Sequence, residues 1–206
     1  SEQSLVKAGS SLCLIRSGHK LKLYDLLIGM LMASGNDAAY TVAVNTARAV
    51  YPDIFMTDSQ AVSCFADLMN EYAKSIGMKN SNFVYPEGWD DENQYTTVSD
   101  LLTLANHAFS IPEIKTITGT YQKKVYFVSG ENITWTNTNQ LLNPNGAFYC
   151  KDAIGIKTGT TANAGNCVIA AFDRNGKTYI SVVIGCQTGN DRYNLTLKLL
   201  SAFTES

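Results

Sequence analysis

Two short strings carry the residue types that acyl-transfer chemistry needs: Lys157-Thr158-Gly159 followed by Thr160, and Ser34-Gly35-Asn36. Such chemistry calls for a nucleophile, a proton acceptor, donors for the oxyanion and groups that hold the substrate. Lysine supplies a cation or a base, hydroxyls relay protons or bind carboxylates, asparagine grips an amide, and glycine lets two backbones approach. Each string also has a plain structural reading, a lysine guarding an edge strand and a Ser/Asn helix cap. Other familiar sites are absent by inspection: the chain has no G-x-S-x-G, H-E-x-x-H, G-x-x-x-x-G-K-[ST] or G-x-G-x-x-G string. The two histidines, His19 in a charged turn and His107 inside a helical pattern, sit where histidine is usually structural or solvated. Five scattered cysteines form no C-x-x-C pair, so neither a metal site nor a complete set of disulfides is expected, and they read as small core residues.

The elements that must position these strings follow from periodicity. Beyond Tyr24 the run Leu26, Leu27, Ile28, Met30, Leu31, Met32 is apolar all round and predicts a buried helix, broken at Ser34-Gly35-Asn36. A second helix is expected from Asn36 or Asp37, either able to cap it, towards Val50. Thr57-Asp58-Ser59 opens a third, whose Val62, Phe65, Ala66, Met69, Ala73 and Ile76 repeat at helical spacing until Gly77. Residues 86–94 read as a loop, Thr97 or Ser99 caps a helix through Leu101 and Ala108, and Pro112 starts a short one. Past Thr120 the period becomes two: residues 121–129 and 133–137 predict strands about Gly130, and 153–158, 166–172 and 179–186 predict three more. Asn175-Gly176 joins the last two as a hairpin, and Tyr193 to Phe203 forms a closing helix. The fold class is therefore α/β of the α+β type, helices packed on an antiparallel sheet, with Lys157 on a strand and Ser34 at a helix break.

Bulk properties agree. At 206 residues, 45% hydrophobic and 17% charged, the chain is long enough for one domain over 1–206 and too apolar for disorder. A net charge of -2 excludes the dense cationic surface of a nucleic-acid binder. No run approaches the ~20 apolar residues that cross a bilayer, so no membrane segment is expected.

Found together and in this order, the strings resemble two of the three motifs of the penicillin-binding proteins and serine β-lactamases, S-x-x-K, S-D-N and K-T-G. The fuller likeness is to the D-alanyl-D-alanine carboxypeptidases of the penicillin-binding-protein-5-like group. It is carried by residues 31–39, 73–83, 96–101, 137–142 and 155–161 with Ala164-Gly165, and runs from about Gly9 to the last helix. The resemblance implies a β-lactamase/transpeptidase-like fold and no cofactor. It also implies a peptidoglycan stem peptide ending in D-Ala-D-Ala as substrate, β-lactams as inhibitors, and a bacterial, extracytoplasmic setting. In that scheme Lys157 raises the positive potential and aids proton transfer. Thr158 and Thr160 hydroxyls bind the substrate carboxylate, Gly159 keeps the strand bare, and the Thr160 N–H is one oxyanion donor. Ser34 passes a proton to the leaving amine, Asn36 holds a substrate carbonyl, and Arg192, ahead of the last helix, matches an arginine common near the site.

One part of the pattern does not fit. The family nucleophile is the serine of S-x-x-K, on a helix several dozen residues before S-x-N. Ser4-Leu5-Val6-Lys7 and Ser17-Gly18-His19-Lys20 match the string but lack the strand-to-helix setting, and both read as decoys. The expectation is a catalytic domain truncated before its nucleophile helix, inactive as it stands and without the carboxy-terminal β domain and anchor of many relatives. Two alternatives remain: a non-catalytic binding module, and a serine β-lactamase, for which Glu87 and Glu92 lie in a loop but outside the expected pattern.

Overall fold

Helical periodicity in the first half and alternation in the second produce the chain order five helices, five strands, one helix. The computed structural model describes residues 2–204. The helices are α1 (Leu23–Met32), α2 (Asn36–Val50), α3 (Asp58–Ser75), α4 (Val98–Phe109), α5 (Pro112–Gly119) and α6 (Gly189–Thr204). The strands are β1 (Gln122–Tyr126), β2 (Asn132–Thr136), β3 (Ala153–Thr161), β4 (Gly165–Arg174) and β5 (Lys177–Cys186). They fall into two sheets, an antiparallel β1–β2 hairpin and an antiparallel sheet in the order β3-β4-β5. The β4–β5 turn runs through Asn175 and Gly176, both at positive φ, as a two-residue hairpin requires.

The three-stranded sheet is covered on both faces. Tyr193 and Leu200 of α6 pack on Val168, Ala170 and Phe172, while Ala105 and Phe109 of α4 pack on Ile156 and Ala171. The adjacent alanines 170 and 171 point to opposite faces, and their small side chains leave room for the large ones above and below. A separate core joins α1 to the hairpin through Ile28, Met32, Ile117, Val125 and Trp135. Gly29 belongs to it by necessity, since a Cβ there would lie 3.0 Å from Cys13 Sγ and 3.1 Å from the Trp135 ring. A third core packs alanines 43 and 47 of α2 against Ala61 and Val62 of α3.

Three expectations need correction. The run from Leu26 to Met32 is not buried all round, because Leu27, Met30 and Leu31 are half-buried. Only Cys13 is a core cysteine; the other four are half-buried, and all five are free thiols. Neither Asn36 nor Asp37 is the cap of α2, a position held by Gly35 with no side-chain cap bond. By contrast Thr57 caps α3 with a full capping box to Gln60, and Thr97 caps α4 through Asp100 N–H.

Asp37 has another task. Buried in the first turn of α2, it accepts from Cys13 N–H (3.0 Å), Ile15 N–H (2.9 Å) and Ala38 N–H (3.0 Å). Cys13 Sγ–H donates to it as well, at 3.1 Å, and burial together with the Asp37 charge pushes that thiol well above its ordinary pKa. One carboxylate thus ties residues 13–15 to the start of α2, where the helix dipole also favours negative charge. Asp37→Ala strands two buried backbone donors, and a loss on the order of 3 kcal/mol in unfolding free energy is expected from urea melts, with Asp37→Asn losing less.

Candidate active site

The break between α1 and α2 presents a serine outside helix geometry. α1 ends at Met32, Ser34 takes φ +57°, and α2 starts at Asn36. Asn36 N–H donates to Ser11 O at 2.8 Å, so the turn is clamped to the 11–15 segment twice, by this bond and by Asp37. Position 35 accepts only glycine, because a Cβ would come within 2.6 Å of Cys13 Sγ and 2.7 Å of Asp37 Oδ1. A non-glycine residue in the left-handed region costs about 1–2 kcal/mol, which the surrounding clamp must offset.

Lys157 approaches this turn from β3, the edge of the three-stranded sheet. Its Nζ donates to Ser34 Oγ at 2.7 Å and to Thr158 O at 3.0 Å, joining residues far apart in sequence. Strand alternation sends Thr158 to the other side, where it is buried with its hydroxyl 2.6 Å from Thr138 Oγ1. Of the two threonines expected to meet a carboxylate, Thr158 is therefore engaged inside, and Thr160 is the exposed one. Gly159 between them is exposed, and a Cβ there would meet nothing within 4 Å, so the strand offers open backbone.

Arg192 closes the far side. α6 begins at Gly189, which puts this arginine in the first turn of the helix rather than ahead of it. Its Nη1 donates to Thr160 Oγ1 (3.0 Å), Gly159 O (3.2 Å) and Cys167 O (3.4 Å), and its guanidinium lies over the Tyr193 ring at 4.9 Å. Asn36 is half-buried on the opposite wall, and no protein group among the described residues hydrogen-bonds its side-chain amide.

A single crossing segment holds the walls together. Thr138 N–H donates to Met32 O at the end of α1, Thr138 Oγ1 meets Thr158 in β3, and Tyr193 OH of α6 donates to Thr138 O at 3.3 Å. Asn137 and Asn139 fix that segment from within: Asn137 Nδ2 donates to Thr118 O and Thr120 O at 3.0 Å, and Asn139 Oδ1 accepts from Leu141 N–H. Sequence reasoning picked out residues 137–142 but gave Thr138 and Tyr193 no role. A polar run T-N-T-N-Q inside an apolar stretch is the signal that was available.

Electrostatically the cluster is cationic. Among the described residues neither Lys157 nor Arg192 has a carboxylate hydrogen-bond partner. Burial, and secondarily the Arg192 charge, lowers Lys157 from 10.5 to about 8. Such a site can bind an anion, and its lysine can accept or return a proton near neutral pH. The remaining candidates lie elsewhere. Lys157 bonds neither Ser4, in a single 3-10 turn, nor Ser17, which is exposed. His107 Nε2 shares a 2.5 Å hydrogen bond with Tyr72 OH, and His19 Nδ1 accepts from Arg16 N–H. Glu92 is exposed, whereas Glu87 is half-buried and accepts from Tyr40 OH at 2.9 Å.

Titration of the Lys157 side chain by NMR is expected to give a midpoint near 8, with the charged form below it. Arg192→Leu should move the midpoint up without restoring 10.5, since burial is the larger cause. Because the unfolded chain keeps this proton to higher pH than the folded one, Lys157 costs stability below pH 8, and the cost is relieved as pH rises from about 8 to about 10.5.

Comparison with known proteins gives the family and fold of the chain. The family model described as D-alanyl-D-alanine carboxypeptidase, peptidase family S11, matches residues 1–188. Over 198 residues the chain is 29% identical to the D-alanyl-D-alanine carboxypeptidase DacF of Bacillus subtilis, covering 96% of this chain and 46% of that protein. The crystal structure of the Streptomyces K15 DD-transpeptidase superposes with a TM-score of 0.86 at 29% identity, over 97% of this chain and 74% of that one. Penicillin-binding protein D2 of Listeria monocytogenes in its ampicillin-bound form gives 0.74 at 28% identity, over 95% and 73%. The chain spans about half the length of the curated relatives it matches. With that family model matching residues 1–188 and the fold shared with the Streptomyces K15 enzyme, the chain belongs to the D-alanyl-D-alanine carboxypeptidase family.

Proposed function

We propose that this chain forms the substrate-binding and proton-relay part of a serine-type D-Ala-D-Ala carboxypeptidase. The substrate is a peptidoglycan stem peptide, met outside the cytoplasmic membrane, and β-lactams compete for the same site. The observation that carries this reading is the 2.7 Å bond from Lys157 Nζ to Ser34 Oγ, beside the Arg192–Thr160 pair. The terminal carboxylate lies against Arg192, Lys157 and the Thr160 hydroxyl, with Thr158 supporting the strand from behind. The substrate backbone runs along the bare edge at Gly159, with the Thr160 N–H as an oxyanion donor, and Asn36 donates to the carbonyl upstream. As a serine oxygen gives up its proton and bonds to the penultimate carbonyl carbon, the C–N bond breaks, and the departing D-Ala nitrogen takes a proton through Ser34 from Lys157, which the serine proton replenishes. Water then hydrolyses the ester.

Neither Ser4 nor Ser17 serves as that nucleophile in this reading. Lys7, the apparent partner of Ser4, lies over the Tyr85 ring at 4.0 Å instead of lending a base to it. The chain by itself is then a binder and not an acyl-enzyme. Intact-mass measurement after benzylpenicillin treatment should show no adduct, while calorimetry detects a D-Ala-D-Ala peptide binding reversibly. Arg192→Leu and Thr160→Val should each weaken that binding, the former by roughly tenfold or more, as loss of a charge-assisted contact predicts. A penicilloyl group mapped to Ser4 or Ser17 overturns the nucleophile assignment, and one on Ser34 overturns its role as a relay.

A further inference from the structure

The loop between α3 and α4 contains a second arrangement that the carboxylate site does not use. Tyr85 and Trp89 present their rings to one ammonium, that of Lys7, at 4.0 and 5.0 Å from the ring centroids. Between them in sequence, Glu87 is half-buried; its Oε1 accepts from Tyr40 OH, and its Oε2 is buried with no hydrogen-bond partner. Lys7 is near enough for its charge to counter part of the burial that pushes the Glu87 carboxyl up, yet it does not hydrogen-bond Oε2. Two aromatic faces and a carboxylate about one cation form the chemistry of an ammonium cage. A buried acceptor left without a donor costs free energy, so a ligand that supplies the donor gains what the protein forgoes.

Hydrogen bonds brace the cage from inside and tie it to elements that carry the proposed site. Gln94 holds the loop from inside, accepting from Val84 N–H (3.1 Å) and Tyr85 N–H (2.9 Å) and donating to Trp89 O (2.7 Å). Tyr40 lies one turn beyond Asn36 on α2, so the Glu87 tether and the Asn36 amide share a helix face. At the other side Asp90 Oδ2 accepts from Asn163 N–H at 3.1 Å, in the turn that follows β3.

We propose that Tyr85, Glu87 and Trp89 form a subsite for a primary ammonium, with Lys7 as its resident occupant. On the reading above, the incoming group is the side-chain ammonium of a diamino acid upstream of D-Ala-D-Ala. The ligand displaces Lys7 from the rings to solvent and donates to Glu87 Oε2, a bond Lys7 does not make. One ammonium replaces another on the aromatic faces, so the net gain is the new charge-assisted bond.

The test uses the whole chain, with n-butylammonium as the probe, n-butanol as its neutral control, and the Trp89 indole N–H resonance as the readout. The ammonium should shift that resonance saturably and the alcohol should not. Lys7→Met, which removes the resident cation but keeps an apolar stem, should tighten ammonium binding about fivefold, the scale of one cation–π contact. Glu87→Gln placed on that variant should reverse the gain. No saturable shift in Lys7→Met, or equal affinity after Glu87→Gln, overturns the subsite. Two peptides ending in D-Ala-D-Ala, one with lysine and one with norleucine before it, then test the source of the ammonium. Lysine should be preferred, and the preference should vanish in Glu87→Gln. Equal binding of both peptides overturns the peptide side chain as ligand while leaving the carboxypeptidase reading intact. Failure of both peptides to bind, with the n-butylammonium response preserved, overturns that underlying reading and with it the peptide as the source.

Discussion

The buried carboxylate of Asp37 is the constraint from which the site geometry descends. A charge removed from water must be fully hydrogen-bonded, and here the donors come from two backbone amides and a thiol of the 13–15 segment plus the first turn of α2. Satisfying Asp37 brings Cys13 so close to the chain that position 35 has no room for a Cβ. With Gly35 pinned and Asn36 N–H bonded to Ser11 O, Ser34 has little freedom left, and its left-handed backbone follows. The serine hydroxyl is therefore aimed by a polar core and not by its own preferences. Trp135 Nε1–H donating to Cys13 O at 2.9 Å carries the same constraint into the β1–β2 hairpin.

The opposite wall is aimed by different means. β3 is an edge strand, whose free side would ordinarily invite pairing with another strand. Lys157 and Arg192 protect it, since a strand approaching Gly159 meets two cations that have no carboxylate hydrogen-bond partner among the described residues. The features that make the edge selective against arbitrary strands make it receptive to a short peptide with a negative end. Burial first, and the neighbouring Arg192 charge second, depress the pKa of Lys157, so holding its charge here costs free energy. The 137–142 segment resists their separation by bonding α1, β3 and α6 at once.

Much of this was legible in the sequence because the relevant signals are local. The helix start at Thr57, the Asn175-Gly176 hairpin and the helical period of α3 depend on neighbours within a turn or two, and each lies near its expected place. Lys157 on a strand and Ser34 at a helix break were legible for the same reason. What was not legible depends on groups distant in sequence. Asp37 looks like a helix cap until Cys13 and Ile15 are known to lie beside it, and Thr158 looks free to bind a ligand until Thr138 faces it. Cysteine burial was misjudged because composition cannot tell a core thiol from one on the flank of a strand. The start of α6 was set too late because Gly189, Asn190 and Asp191 read as a loop, although Asp191 Oδ2 accepts from Thr188 N–H and so stabilises the first turn.

The charge distribution about β3 gives the site a direction. Cations at Lys157 and Arg192 stand at the strand, and the buried carboxylate of Glu87 with its aromatic neighbours stands in the loop tied to the turn that follows it. Once Lys7 leaves the rings, opposite charges stand on separate walls, and a reversed ligand would then meet like charge at both ends. A peptide with a carboxylate at its terminus and an ammonium farther back matches that polarity in one orientation only. In the proposed function, that orientation lays the scissile bond on the bare backbone at Gly159, between the Asn36 amide and the Lys157–Ser34 pair. Because Lys7 offsets the Glu87 charge until it is displaced, this polarity acts at contact range, and in the proposed mode of binding the bonds at Ser34 and Thr160 fix the ligand's final position.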